Sequence, residues 1–181
     1  GFTDGETVIV PSCFNNELGK LNYEGPVWYQ RKFYTVGGTL MLEFESVMTA
    51  ATVWLDGNKI GYHYGAFTPF QFVVNNIDCG EHTIVVCADN TIDAKSFPQR
   101  YTDWFNYGGI ARDVYFSKLY GISILDNHIV YTLSDDFKSV KVHAELELYN
   151  KCDCEASSIL NVTIGENEIY SGEISLAAKE R

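Results

Sequence analysis

The chain has 181 residues, 46% hydrophobic and 14% aromatic and free of low-complexity tracts, which excludes a disordered protein and allows either one large domain or two small ones. Twenty-four acidic against thirteen basic side chains give a net charge of −11, which repels nucleic-acid phosphates and anionic lipid alike. Its longest apolar runs, such as residues 83–88, fall far short of the ~20 residues of a membrane helix, so neither nucleic acid nor a bilayer is an expected partner.

The first residues carry no basic n-region and no apolar h-region, so a signal peptide is absent from this sequence and a cytoplasmic location is expected. Cys13, Cys79, Cys87, Cys152 and Cys154 form an odd set without C-x-x-C spacing, which predicts reduced, structural thiols. Cys87 falls inside an apolar strand, where a thiol behaves as a small hydrophobe. Asn161-Val162-Thr163 fits a glycosylation acceptor, a pattern common by chance.

The dominant period before Gly121 is two, with no stretch at helical spacing. Leu40, Leu42 and Phe44 alternate with Met41, Glu43 and Glu45, and Phe70, Phe72 and Val74 alternate with Gln71 and Val73, as half-buried strands do. Residues 51–55 and 59–64 flank Asp56-Gly57-Asn58, a hairpin signal because an Asp-Gly step tolerates positive φ. Residues 82–88 form a strand after a turn at Cys79-Gly80, and residues 111–116 supply another. Short strands without intervening helices predict an antiparallel sandwich or jelly roll.

Between those last two strands, residues 89–109 show no period and hold Phe97, Pro98, Tyr101, Trp104, Phe105 and Tyr107. A connection of this length in a compact domain is functional or disordered, and its aromatic content argues for a packed, functional loop. Asp103 is the one carboxylate among these rings. A sugar suits such a site, because its C–H faces pack on rings while its hydroxyls donate to oxygen. The structural reading of the same residues pairs Asp103 with Arg100 or Arg112 and uses the rings to plug the sandwich.

From about residue 121 the pattern starts afresh. Val140, Val142, Ala144, Leu146 and Leu148 alternate with Lys141, His143, Glu145, Glu147 and Tyr149, predicting one face in a core and one in water. Residues 159–164 and 169–176, joined through Gly165-Glu166-Asn167-Glu168, predict a second hairpin; with residues 128–133 that makes about four strands. An immunoglobulin-like sandwich needs about seven, so the second domain is expected to be partial.

His63, His82, His128 and His143 are scattered and the acidic pairs lack calcium-loop spacing, so neither a metal nor a cofactor is expected. Gly108-Gly109 precedes a strand, which excludes a phosphate-cradling loop and predicts a turn or close packing.

Taken together, Val10-Pro11-Ser12, Val27-Trp28-Tyr29-Gln30-Arg31, Val53-Trp54-Leu55-Asp56-Gly57, Thr68-Pro69-Phe70 and Asp103-Trp104-Phe105-Asn106-Tyr107-Gly108-Gly109-Ile110-x-Arg112 resemble the sugar-binding domain of family 2 glycoside hydrolases, especially β-glucuronidases. The resemblance implies an all-β chain: a jelly-roll (galactose-binding-like) sandwich over residues 1–121, then a truncated immunoglobulin-like sandwich over residues 122–181. In that family a third domain, a TIM barrel, carries both catalytic glutamates. Such a barrel takes ~250 residues, so no catalytic residue is carried over. What is carried over is the aspartate that reaches into the barrel's mouth and meets the sugar's hydroxyls, matching Asp103. Trp104, where relatives often have Phe, together with Asn106 and Tyr107, is expected to shape the loop.

The implied role is non-catalytic: walling one side of a retaining β-glycosidase's pocket, with a β-glycoside as substrate of a parent expected to be homo-oligomeric. The alternatives are a β-galactosidase-type parent, a stand-alone carbohydrate-binding module, and a structural or oligomerisation domain.

Overall fold

The computed structural model describes residues 4–96, 99 and 102–181. It is all-β apart from one short helical turn, α1 (Phe14–Glu17). The chain folds as two compact units, Gly1–Lys118 and Leu119–Arg181.

In the first unit the strands are β1 (Pro26–Thr35), β2 (Gly38–Phe44), β3 (Val47–Met48), β4 (Ala50–Leu55), β5 (Asn58–Tyr64), β6 (Phe70–Ile77), β7 (Gly80–Asp89), β8 (Gly109–Ile110) and β9 (Val114–Leu119). They form a four-stranded sheet, β1-β7-β4-β5, a three-stranded sheet, β6-β2-β9, and the short pair β3-β8. The inward residues Leu42 and Phe44 of β2, Ala51 and Val53 of β4, and Val86 and Ala88 of β7 join Val47 and Ile110 in one buried cluster between the sheets. Each fully buried Val, Leu, Ile or Phe side chain contributes about 1.5–3 kcal/mol over its exposed state. Phe44 has no exposed surface and stacks on Phe70 at 4.8 Å, with interplanar angle 5°.

The alternation expected in β2 is present, with Leu40, Leu42 and Phe44 buried and Met41 and Glu43 half-buried. Strand β6 departs from it: residues 70–74 are all half-buried, so neither face is shielded alone. At Asp56 and Gly57 the φ angles are +49° and +82°, as a two-residue turn between twisted strands requires, and Leu55 pairs with Asn58 across it. Of the strand expected over residues 111–116 only residues 114–116 are found in one, as the start of β9; residues 111–113 are not strand, and there Ala111 N donates to Ser46 O and Asp113 O accepts from Glu45 N, both at 3.1 Å.

The second unit holds β10 (Ile122–Leu133), β11 (Val140–Asn150), β12 (Ala156–Ile164) and β13 (Asn167–Leu176), in two antiparallel hairpins, β10-β11 and β12-β13. Its core is at one end. Leu125, Tyr149 and Asn150 are buried, whereas Val140, at 54% exposure, and Val142 are open. The expected burial of one entire face of β11 is therefore not found. Alternation sets which side chains share a face, but burial requires a second layer, and the exposure of Val140 and Val142 shows that none covers that part of β11.

Candidate functional site

The connection between β7 and β8 carries the sequence-predicted site. Phe97, Pro98, Arg100 and Tyr101 lie outside the described residues; Asp93, Ser96, Gln99 and residues 102–108 are described. Its first arm is held by Asp93. The Asp93 carboxylate accepts from Lys95 N (2.8 Å), Ser96 Oγ (3.0 Å) and the Tyr64 hydroxyl of β5 (3.1 Å). The Lys95 N–H, with the Ser96 hydroxyl next, holds its pKa below the ordinary carboxylate value. Thr102 then donates to Gln99 O from its backbone N (3.0 Å) and its hydroxyl (2.6 Å).

At the far end the loop is clasped by carboxamides. Asn106 Nδ2 donates to Asn90 O (2.7 Å), and Asn90 Nδ2 returns a bond to Asn106 O (3.2 Å). Gly108 N donates to Asn15 Oδ1 (2.8 Å), while Asn15 Nδ2 donates to the carbonyls of Lys20 and Tyr23, both at 3.0 Å. Asn15 and Asn90 have no exposed surface. Gly108 and Gly109 serve this closeness: a Cβ on Gly108 would lie 2.1 Å from Phe14 Cζ, and one on Gly109, at φ +133°, 2.7 Å from Ser12 O. The expected close packing at the glycine pair is what the structure has.

Asp103 stands between these anchors, exposed. Among the described residues its carboxylate has no ion pair, so Arg112 is not its partner, and Arg100 lies outside those residues. Trp104 is 61% exposed, and Phe105 and Tyr107 are exposed with their rings 4.6 Å apart. These rings do not plug the sandwich. They are exposed on the same stretch of loop as Asp103, where a ring face can meet the C–H face of a sugar. Of the residues expected to shape the loop, Asn106 makes the clasp, Tyr107 N bonds Phe105 O at 3.1 Å, and Trp104 projects outward.

Other parts of the resembling motifs build the scaffold. Thr68 Oγ1 lies 3.3 Å from His63 Nε2 and Phe70 stacks on the His63 ring at 4.2 Å, so Thr68-Pro69-Phe70 holds β5 against the start of β6. Trp28 and Trp54, from two strands flanking β7, approach with ring centroids 5.1 Å apart. Val27 and Tyr29, with Ile84, Val86, Ile110 and Val114, line a cleft of about 1120 Å³. The Tyr29 hydroxyl is buried there and meets no hydrogen-bond partner in good geometry among the described residues; burial, with Cys13 adding to it, pushes its pKa to about 12 against a smaller opposing interaction with the Ile110 backbone N–H. The described residues contain no cluster of three or more His, Cys, Asp or Glu side chains able to hold a metal.

The sequence pointed to Asp103 but not to Asn15 and Asn90. Neither has a local signature, since each bonds to carbonyls or amides that only folding brings near.

Comparison with known proteins agrees with this architecture. Residues 8–120 match the family described as "Glycosyl hydrolases family 2, sugar binding domain". A β-glucuronidase of Streptococcus agalactiae is 28% identical over 90% of this chain and 32% of its own length, and a β-galactosidase of Clostridium acetobutylicum is 29% identical over 75% and 16%. The crystal structure of a family 2 β-galacturonidase from Eisenbergiella tayi, bound to galacturonate, superposes with a TM-score of 0.83 at 32% identity over 99% of this chain and 32% of that one. The chain thus spans about a third or less of these relatives' lengths. With its β-sandwich and the family's motifs in order over residues 8–120, the chain belongs to glycosyl hydrolase family 2 and carries that family's sugar binding domain.

Proposed function

We propose that this chain is the non-catalytic front part of a retaining family 2 β-glycosidase acting on a β-uronide, in which the sandwich walls one side of the substrate pocket and Asp103 accepts hydrogen bonds from sugar hydroxyls. The observation that carries this reading is the exposed Asp103 carboxylate, without an ion pair among the described residues, on a loop held at both ends and followed in the chain by the exposed rings of Trp104, Phe105 and Tyr107. A carboxylate whose only task is to brace a loop has a partner; one that waits for a ligand has room in front of it.

The uronide preference is supported by the β-galacturonidase and β-glucuronidase among the relatives, with a β-galactosidase-type parent the second choice because relatives of that name align as well. The parent's catalytic carboxylate pair would lie outside these 181 residues, since no two carboxylates of the chain are singled out by the site for an acid and a nucleophile about 5–5.5 Å apart. The test is Asp103→Asn in the complete enzyme, read as kcat/KM and melting temperature on the same protein.

A further inference from the structure

The bonds around Asn90 go beyond what a loop needs merely to close. Its carboxamide is fully buried at the exit of β7. Oδ1 accepts from Gly25 N at 2.9 Å, and Nδ2 donates both to Tyr23 O and to Asn106 O at 3.2 Å. Its backbone carbonyl takes the returning bond from Asn106 Nδ2 at 2.7 Å. One side chain therefore ties three stretches of chain together: the 23–25 segment, the beginning of the loop and its end. Both N–H groups and the oxygen are used, which sets the orientation of the amide as well as its position.

Asn106 is three residues beyond Asp103, and Thr102, on the other side, is bonded to Gln99. Between these anchors lie residues 103–105, of which Phe105 O accepts from Tyr107 N at 3.1 Å. The span is short enough for a shift of the Asn106 backbone to reach the Asp103 carboxylate. We propose that Asn90 is a positioning residue, whose buried carboxamide sets where the Asp103 carboxylate stands relative to the sugar. This rests on the reading of Asp103 as a sugar contact.

The second unit supplies a matched control. Asn150 also has no exposed surface, donates from Nδ2 to the carbonyls of Cys154 (2.9 Å), Leu176 (3.0 Å) and Ala177 (2.8 Å), and accepts from Cys152 N (2.9 Å). Its loss removes a comparable set of buried bonds from the second unit, to which none of the site residues named above belongs.

The experiment is a double-mutant cycle in the complete enzyme, with kcat, KM and melting temperature measured on the aryl β-glycoside it turns over fastest. Asn90→Ala is expected to lower kcat/KM on the order of 10-fold or more, since small misplacements of a positioned group are costly. Asn150→Ala is expected to lower the melting temperature with kcat/KM per folded molecule unchanged. Asn90→Ala combined with Asp103→Asn is expected to be no worse than the poorer single variant, because the first acts through the second. Should Asn90→Ala fail to fold, Asn106→Ala, which leaves the Asn90 carboxamide in place and removes the 2.7 Å bond, takes its place in the cycle with the same expectation. If Asp103→Asn lowers kcat/KM while Asn90→Ala or its substitute is silent, or multiplies fully with it, the role of Asn90 is overturned and that of Asp103 stands. If Asp103→Asn is itself silent, both fall.

Discussion

His82 Nδ1 and Asp56 Oδ2 meet at 2.6 Å, joining the turn between β4 and β5 to strand β7. Asp56 Oδ1 also accepts from Thr83 N (2.8 Å), and Asp56 N donates to Thr83 O (2.9 Å), while His82 Nε2 lies 2.9 Å from Asp78 O. The His82 side chain is 11% exposed and its ring lies 5.9 Å from that of Phe33. The hydrogen bond to Asp56, with that to Asp78 O next, raises the His82 pKa above 6.5 against desolvation, and the negative charges of Asp56 and Asp78 add to the rise. For Asp56 desolvation acts upward, but the bonds from His82 and Thr83 and the imidazolium's charge outweigh it and bring the pKa below 3.8.

The pair therefore has a pH window. The part owed to His82 is complete below its unfolded pKa and is lost as pH rises through the raised folded value; the part owed to Asp56 is present above its unfolded pKa and is lost as pH falls through the lowered one. The melting temperature of the native chain is expected to exceed that of Asp56→Asn most at about pH 5–6, with the gap narrowing as pH rises above 6.5 through the raised His82 value. A gap that stays constant across that range would show that His82 is not charged in the pair.

Gly108→Ala places a methyl against Phe14 Cζ at 2.1 Å and Asn90 Cγ at 2.8 Å. Phe14 is buried and cannot swing out freely, so the expected cost is about 1–3 kcal/mol. Thermal melting measures it, and an unchanged melting temperature would mean that the loop end yields.

Tyr29→Phe removes a buried hydroxyl with no partner among the described residues. Deleting an unsatisfied polar group at constant shape is neutral or favourable, and a gain of up to about 1 kcal/mol is expected. Chemical denaturation of the two proteins compares them, and a loss above that size would reveal a bond to the hydroxyl.

Asp103→Asn keeps volume and removes charge. A hydrogen bond to a charged group contributes about 1.5–3 kcal/mol, so kcat/KM of the complete enzyme is expected to fall roughly 10- to 150-fold with little change in melting temperature. Near-normal kinetics in a destabilised variant would turn Asp103 into a brace.

The 181-residue chain by itself is expected to release no aryl aglycone from β-glucuronides or β-galactosides above a buffer blank, because retaining hydrolysis needs a carboxylate pair that this chain is not expected to supply. Turnover that survives repurification would overturn that assignment.

Local periodicity and turn chemistry were enough to read β2, the Asp56-Gly57 hairpin and the long aromatic loop, because alternation and positive φ are properties of neighbouring residues. The family's motifs marked Asp103 for the same reason, as a short string with a chemical character. What the tertiary structure alone decided are relationships between distant residues: Asn15 with Gly108, Asn90 with Tyr23 and Asn106, His82 with Asp56. It also decided that Trp104 stands in solvent and that Val140 is open while Tyr149 is buried. An asparagine looks the same in a sequence whether it fills a turn or closes a buried clasp. The difference lies in which carbonyls the folded chain brings within 3.2 Å of its amide, and that is settled only when the strands on either side have paired.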